Sequence, residues 1–410
     1  MDLLLSAKGG NVTSWRAVEN FSASYRQSLL ELAASDRNGS AEALFSEVSG
    51  SIDAIISTNQ TLLQHLDSLI EQASTTPSAE RKELTASFYS GLYHYFDTFH
   101  SAPAFYQLSM SFLRQASAAI VAQATDQLGP AAGTLPEMTL IAVGPAGRAE
   151  YSPFCSLQIL LVHGEVAASH HETIERFCHS LHAGFETAGL SIDQVVTPRN
   201  ARWRGTMAEW QQRFRDGGHP QTDEELIDLC RLVDQYPLYH GDRFAGDLKQ
   251  MSSAALNGNR PAVTNLIERM EHLSNGLGIM GRLKLERSGS EQGLFRLLEH
   301  GLLPLSAALS ALALIKESRE TDNGERIRDL LKRRELDVEL AERMLATWHT
   351  LHDLRLRLEQ SFRIGHNSNQ SLFLNPNDLS APQRHALKDA LESVAIIQRH
   401  VAIIFSGMGE

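Results

Sequence analysis

The residues best placed to do chemistry lie in Met138–Gly164, MTLIAVGPAGRAEYSPFCSLQILLVHG. Two apolar runs, Met138–Val143 and Leu157–Val162, enclose Gly144-Pro145-Ala146-Gly147-Arg148. The order predicts strand, glycine turn, short helix, strand. Glycines at a strand-to-helix turn let backbone N–H groups approach phosphate oxygens with no Cβ in the way. Arg148 stands where a guanidinium reaches the same oxygens. Such a turn also serves plain close packing, and Pro145 removes one N–H from it.

Other polar sets in the sequence carry alternatives of the same kind. His171, Glu175 and His179 fall at i, i+4 and i+8 on one predicted helix face, with Cys178 and His182 near them. The spacing suits a transition metal, but one helix seldom supplies a whole site, and the other reading is a solvated polar face. Arg355 and Arg357 share a Leu-Arg-Leu-Arg-Leu strip, with Arg363 and His366 beyond it. Either one arginine enters a nucleotide cleft, or the strip makes interdomain ion pairs with acidic neighbours such as Glu359. Arg326, Arg328 and Lys332-Arg333-Arg334 alternate with Glu325, Asp329 and Glu335 and read as a solvated helix face. No Ser–His–Asp or Cys–His nucleophile set stands out.

The elements that must position these residues form three blocks. Residues 1–130 read as an N-terminal helical bundle. Trp15, Val18, Phe21, Tyr25, Leu29 and Leu32 recur at helical steps, and Leu44, Val48, Ile52, Ile55, Leu62, Leu66 and Leu69 continue after a break at Asp36–Gly39. Thr75–Ser78 and Ser101-Ala102-Pro103 mark further breaks. Phe88, Tyr89, Tyr93, Tyr95, Phe96, Phe99, Phe105, Tyr106 and Phe112 give this block two readings, a bundle core or a surface for a second copy or partner helix. Gly129–Gly133 is the boundary to an α/β block, 131–250, with a helix over Ala167–Ala188 and a strand near Leu190–Val196. Residues 251–410 return to helix and end in a capped helix over Pro382–Phe405.

Composition bounds the function. The 410 residues suffice for two or three cores. A net charge of −12 argues against a general nucleic-acid partner. Three cysteines, Cys155, Cys178 and Cys230, lack CxxC spacing and fit a reducing cytoplasm better than a disulfide framework. The first ten residues carry no basic leader, and no apolar run approaches ~20 residues, so neither a signal peptide nor a membrane partner is expected.

The glycine stretch resembles the signature of a nucleotidyltransferase family related to the uridylyltransferase of the PII protein and to the glutamine-synthetase adenylyltransferase. There Gly-Ser-x-Gly-Arg-x-Glu leads to a strand bearing Asp-x-Asp. Gly144, Gly147, Arg148 and Glu150 match; Pro145 replaces the serine, and Ser156 and Gln158 stand at the aspartate positions. The Asn200–Trp210 segment, with Trp203 and Trp210, is similar to the family's Asn-x-x-Trp run. Val233–Asp242 resembles its Asp-x-Arg-Pro-x-x-Gly-Asp element, with Asp234 at the acidic position and Tyr236 in place of arginine. Phe295–Leu305, where Leu298 replaces a lysine, and Leu351–Gln360 resemble its C-terminal substrate-binding helical domain.

The resemblance implies an α+β fold: a helical bundle, a nucleotidyltransferase-like mixed-sheet α/β domain, and a C-terminal helical domain. It implies nucleotide contacts by Gly144, Gly147, Arg148, Ser156 and Gln158. Nucleotidyl transfer needs Mg²⁺ held by carboxylates, and a hydroxyl and a neutral amide do not offset the ion's lost hydration. The expectation is therefore a catalytically impaired signalling or regulatory protein without a metal site. It would bind a regulatory protein or form a homodimer through its helical domains. The alternative is an active transferase using a nucleoside triphosphate, with Mg²⁺ held by Asp234 and Glu150.

Overall fold

The computed structural model describes residues 41–216, 231–239, 242–361 and 372–407. The expected helix from Trp15 to Leu32, the break at Asp36–Gly39, Cys230, His240, Gly241, Arg363, His366 and the side chains of Leu44, Val48 and Ile52 lie outside the described residues.

Three helices come first: α1 (Ala41–Ala73), α2 (Arg81–Phe99) and α3 (Ala102–Asp126). His100 in a left-handed conformation reverses the chain after α2, and the Ser101 hydroxyl accepts from the Ala104 N–H at 3.4 Å to cap α3. The aromatic residues meet inside. Phe88 and Phe112 stack with centroids 4.1 Å apart, and Tyr89, Phe96, Phe105 and Tyr106 are buried around them. Burial thus favours the core reading of these rings over a docking surface.

The sheet has four strands, β1 (Met138–Val143), β2 (Gln158–His163), β3 (Arg204–Thr206) and β4 (Tyr236–Tyr239), in the order β3-β2-β1-β4. β1 and β2 are antiparallel, with Met138 opposite His163 and Val143 opposite Gln158; β4 is antiparallel to β1, and β3 is parallel to β2. Alternation sends Leu140, Ala142, Ile159 and Leu161 to one face, towards α3 and α4 (His171–Thr187). Ile141, Val143, Leu160 and Val162 go to the other, against Trp203, Trp210 and Phe214 of the segment ending in α5 (Met207–Asp216), and against Ala245 and Leu248 of α6 (Asp242–Asn257).

One expected strand is absent. Leu190–Val196 makes a single parallel bridge, Ile192 to Leu157. The Asp193 carboxylate accepts the N–H groups of Val195 and Val196, both at 2.8 Å, and this local turn interrupts a regular ladder, while the segment stays beside β2 through the Ile159 N–H donating to the Val196 carbonyl at 3.1 Å.

The remaining helices are α7 (Arg260–His272), α8 (Leu303–Ile315), α9 (Asn323–Lys332), α10 (Val338–Gln360) and α11 (Ala381–Gly407), with a small ladder of β5 (Phe295–Arg296) and β6 (Phe373–Leu374). Asp322 caps α9 and Asp337 caps α10 through the N–H groups of Glu325 and Leu340. The architecture is α+β, with helical regions on both sides of a small mixed sheet. Residues 298–315 and 381–407 are long and apolar enough to cross a membrane, but the first is mostly buried in the bundle and both pack along other helices. That is how core helices of a folded bundle behave.

Candidate functional site

The glycine turn is built as a four-residue helix, Gly144–Gly147, between β1 and β2. Gly144 takes φ +63, which its missing Cβ permits, and a Cβ there would collide with the Gln158 side chain. Gly147 presses on the Asp234 backbone carbonyl. Ala149 also adopts a left-handed conformation, φ 57, and the N–H of Glu150 returns to the Pro145 carbonyl at 2.8 Å. This tight reversal turns Glu150 inward. Both glycines therefore serve close approach. Gly147→Ala is expected to destabilise the protein by about 1–3 kcal/mol, because the added Cβ meets backbone rather than a movable side-chain tip. A chemical-denaturation midpoint unchanged from the parent would contradict that packing role.

Arg148 lies between two buried carboxylates. Its Nε is 3.0 Å from Glu150 Oε2 and its Nη1 is 3.0 Å from Asp234 Oδ2. Glu150 Oε1 accepts from Asn323 Nδ2 and Trp348 Nε1, each at 2.7 Å, and lies 3.6 Å from His352 Nε2. Asp234 Oδ1 pairs with Arg326 Nη2 at 2.8 Å, and the Ser310 hydroxyl donates to the same carboxylate at 2.8 Å. Helices α8, α9 and α10 thus supply the partners of the turn. Tyr106 of α3 joins the network through a 2.8 Å hydrogen bond to His352 Nδ1.

The electrostatics follow from this enclosure. Burial opposes the charge on Glu150, but His352, Arg148 and the Trp348 N–H outweigh it and bring its carboxyl down to about 2. Burial also opposes the Arg148 charge, and Glu150 and Asp234 overcome it and raise its pKa. Burial takes the His352 ring down to about 3 despite Glu150 beside it. At neutral pH the ring is therefore uncharged and Arg148 carries the balancing charge for Glu150; the charge on His352 helps hold Glu150 down only in the acid range where both groups titrate.

A second polar cluster lies beyond the turn. Arg355 Nε pairs with Glu359 Oε1 at 2.8 Å, and its Nη2 donates to the Ser152 hydroxyl at 2.8 Å and to Cys155 Sγ at 2.6 Å. Tyr93 of α2 donates to Glu359 Oε2 at 2.9 Å. Of the two readings of Arg355, these contacts match ion pairing at the seam between α10 and the turn.

The positions at which the family pattern has aspartates lie apart from this network. Gln158 Nε2 donates to Asp193 Oδ2 at 3.3 Å, and both Ser156 and Gln158 are partly exposed. The structure thus brings Gly144, Gly147, Arg148, Glu150 and Asp234 together, with Gln158 against Gly144. Among the described residues no group of three or more His, Cys, Asp and Glu side chains could hold a metal ion. His171, Glu175 and His179 stand exposed on α4, and Glu175 reaches Arg204 at 4.0 Å.

Residues 91–224 match the family described as "Putative nucleotidyltransferase DUF294", and residues 260–405 match "Putative nucleotidyltransferase substrate binding domain". Both segments are thus similar to a nucleotidyltransferase family. No curated protein matches the chain. The nucleotidyltransferase match begins inside α2, so α3 and its Tyr106 fall within it. Asn323, Arg326, Trp348, His352 and Arg355 all belong to the substrate-binding match. The network therefore joins the two matched segments, with Asp234 from the stretch between them.

Several of its members were not legible as functional. Arg326 was expected on a solvated face, yet it is 1 % exposed. The usable signal was the line Asn323, Ile327 and Leu330, which puts Arg326 at the edge of the apolar face of α9. On α10, Trp348, His352, Arg355 and Glu359 recur at three- and four-residue steps on the buried side. Ser310 and Tyr106 carry no local signal, because only the folded contacts make them partners of the turn.

Proposed function

We propose that this chain is a degenerate nucleotidyltransferase-family protein with a signalling or regulatory role and impaired transfer chemistry, of the type related to the PII uridylyltransferase and the glutamine-synthetase adenylyltransferase. The observation that carries this reading is that Arg148 bridges Glu150 and Asp234. A guanidinium occupies the space between the two carboxylates that a shared cation would need. The donor set does not suit Mg²⁺ either, which takes oxygen ligands in near-octahedral array and favours carboxylates. Glu150 and Asp234 are each engaged by three or more protein groups, and the aspartate positions hold Ser156 and Gln158. In this reading the domain contact is a rigid scaffold, and the outer helical surfaces are left for a regulatory protein.

Isothermal titration of the full chain with ATP, GTP, CTP and UTP, each with and without Mg²⁺, tests the reading. The expected result is no heat that depends on Mg²⁺. Tight binding of one nucleotide only in the presence of Mg²⁺ would establish a rebuilt metal site and overturn the reading in favour of an active transferase.

A further inference from the structure

The candidate site gives no role to a cleft in the N-terminal helices, where the α1–α2 turn meets the C-terminus of α3. Its volume is about 450 Å³, within the range of clefts that take small molecules. Asp126 ends α3 about 30 Å along the helix from Tyr106 of the buried network, so this is a separate place. The wall given by the α1–α2 turn precedes both matched segments. Ala119 and Ala122 of α3 give the cleft a small apolar wall. Arg81, in the first turn of α2, is held in place beside it. Its Nε donates to the Thr76 carbonyl at 3.0 Å, and its Nη1 donates to Gln123 Oε1. Its Nη2 has no protein partner among the described residues.

The remaining polar walls are not used by the fold. The side chains of Asp126, Ser78 and Gln127 line the cleft and enter no hydrogen bond or ion pair among the described residues. Arg81 and Asp126 do not pair with each other either. Gln123 and Asp126 lie three residues apart on one face of α3, so the guanidinium held on Gln123 is about one turn, ~5 Å, from the carboxylate. The helix ends add to this polarity. The first turn of α2 presents unpaired N–H groups and the last turn of α3 unpaired carbonyls, a positive and a negative end side by side. Arg81 and Asp126 each stand at the helix end that disfavours their charge. Neither residue therefore serves its own helix, and together they leave a positive and a negative pole facing one small space.

We propose that this cleft binds a free α-amino acid. The ligand carboxylate accepts from Arg81 Nη2 at the N-terminus of α2, and the ligand ammonium donates to Asp126 at the C-terminus of α3. Ser78 and Gln127 supply further oxygen acceptors, and a small side chain lies on Ala119 and Ala122. Charge selects this class of ligand. A simple anion would meet the Asp126 carboxylate, and a simple cation would meet the Arg81 guanidinium. A molecule with both charges on neighbouring atoms satisfies the two poles at once. The site is independent of the glycine turn and of the impaired transfer chemistry proposed above.

Isothermal titration of the full chain with each of the standard L-α-amino acids, at up to about 10 mM, tests the proposal. At least one with a small side chain should bind. N-acetyl-L-alanine, which lacks the ammonium, and L-alaninamide, which lacks the carboxylate, should not. Asp126→Asn should weaken binding of the best amino acid roughly tenfold or more. It should keep the parent's circular dichroism and melting, since the carboxylate has no protein partner among the described residues. Arg81→Lys keeps the charge but loses the fixed fork, and should weaken binding as well. Asp97→Asn, exposed towards the other end of α2, should bind as the parent does. No binding by any amino acid, or binding that Asp126→Asn leaves unchanged, would overturn the proposal. So would N-acetyl-L-alanine or L-alaninamide binding as tightly as the best amino acid, because the cleft would then recognise a single charge.

Discussion

Arg326→Met is expected to cost about 3–5 kcal/mol of folding stability, one of the largest effects of any single substitution in the chain. The side chain is 1 % exposed, and every nitrogen of its guanidinium has a protein partner. Nη2 pairs with Asp234 Oδ1 at 2.8 Å, Nε donates to the Glu320 carbonyl at 2.9 Å, and Nη1 donates to Asn323 Oδ1 at 3.2 Å. Methionine fills much of the volume and supplies none of the donors. Asp234 keeps Arg148 and Ser310, so its charge is not orphaned, but Asn323 Oδ1 loses its donor and the Glu320 carbonyl keeps only Lys249 Nζ at 3.3 Å. Asp234→Asn should cost a similar amount from the other side, leaving two arginines sharing a neutral amide. The double variant should be less destabilised than the sum of the two by about 1–3 kcal/mol, measured by urea denaturation with a common slope. Strict additivity would mean that the two residues act separately, and that the domain contact rests on apolar packing around them.

The parts of this architecture that rest on local chemistry were legible. The apolar runs place β1 and β2 within a residue of the expected limits, while the short helix expected after the glycine turn is instead the turn itself, Gly144–Gly147. Helices α4 and α11 follow from 3.6-residue periodicity. The lost strand at 190–196 was misread because alternation alone does not reveal that Asp193 will take two backbone N–H groups. The site was legible only in part, for a different reason. Gly144, Gly147, Arg148, Glu150 and Asp234 stand out by their residue types and order. What those groups face is decided by the docking of α8, α9 and α10 some 75 to 200 positions away in sequence. A carboxylate reads the same in sequence whether water, a cation or a buried arginine stands opposite it.

Acidification supplies the other large effect: stability should fall as the pH drops below about 6.5, and His352→Gln should remove a substantial share of that loss. In the unfolded chain the imidazole takes a proton near its ordinary value of 6.5, whereas burial holds the folded ring down to about 3. Between those values the unfolded state binds the extra proton, so each pH unit of acidification costs about 1.4 kcal/mol for one such group, and the loss levels off below the folded value. Glu150 acts in the same direction over a lower window. Its carboxyl moves from an unfolded value of 4.5 to about 2, so its contribution is present above 4.5 and is lost as the pH falls towards 2. His163, His182 and His300 are also lowered by burial and contribute equally to parent and variant, so they cancel in the comparison. Glutamine retains an acceptor for the Tyr106 O–H and gains no proton. Between about pH 6.5 and pH 5 the parent should therefore lose about 2 kcal/mol more than His352→Gln by urea denaturation. The two curves should go on separating down to about pH 3, where the folded ring takes its proton, and the variant should also lose less from Glu150, because His352 is part of what holds that carboxyl down. Parallel curves across the whole range would mean that the folded ring accepts its proton as readily as the unfolded one. The His352 nitrogen 3.6 Å from Glu150 would then be an imidazolium paired to the carboxylate, and Arg148 would not be the group that balances it.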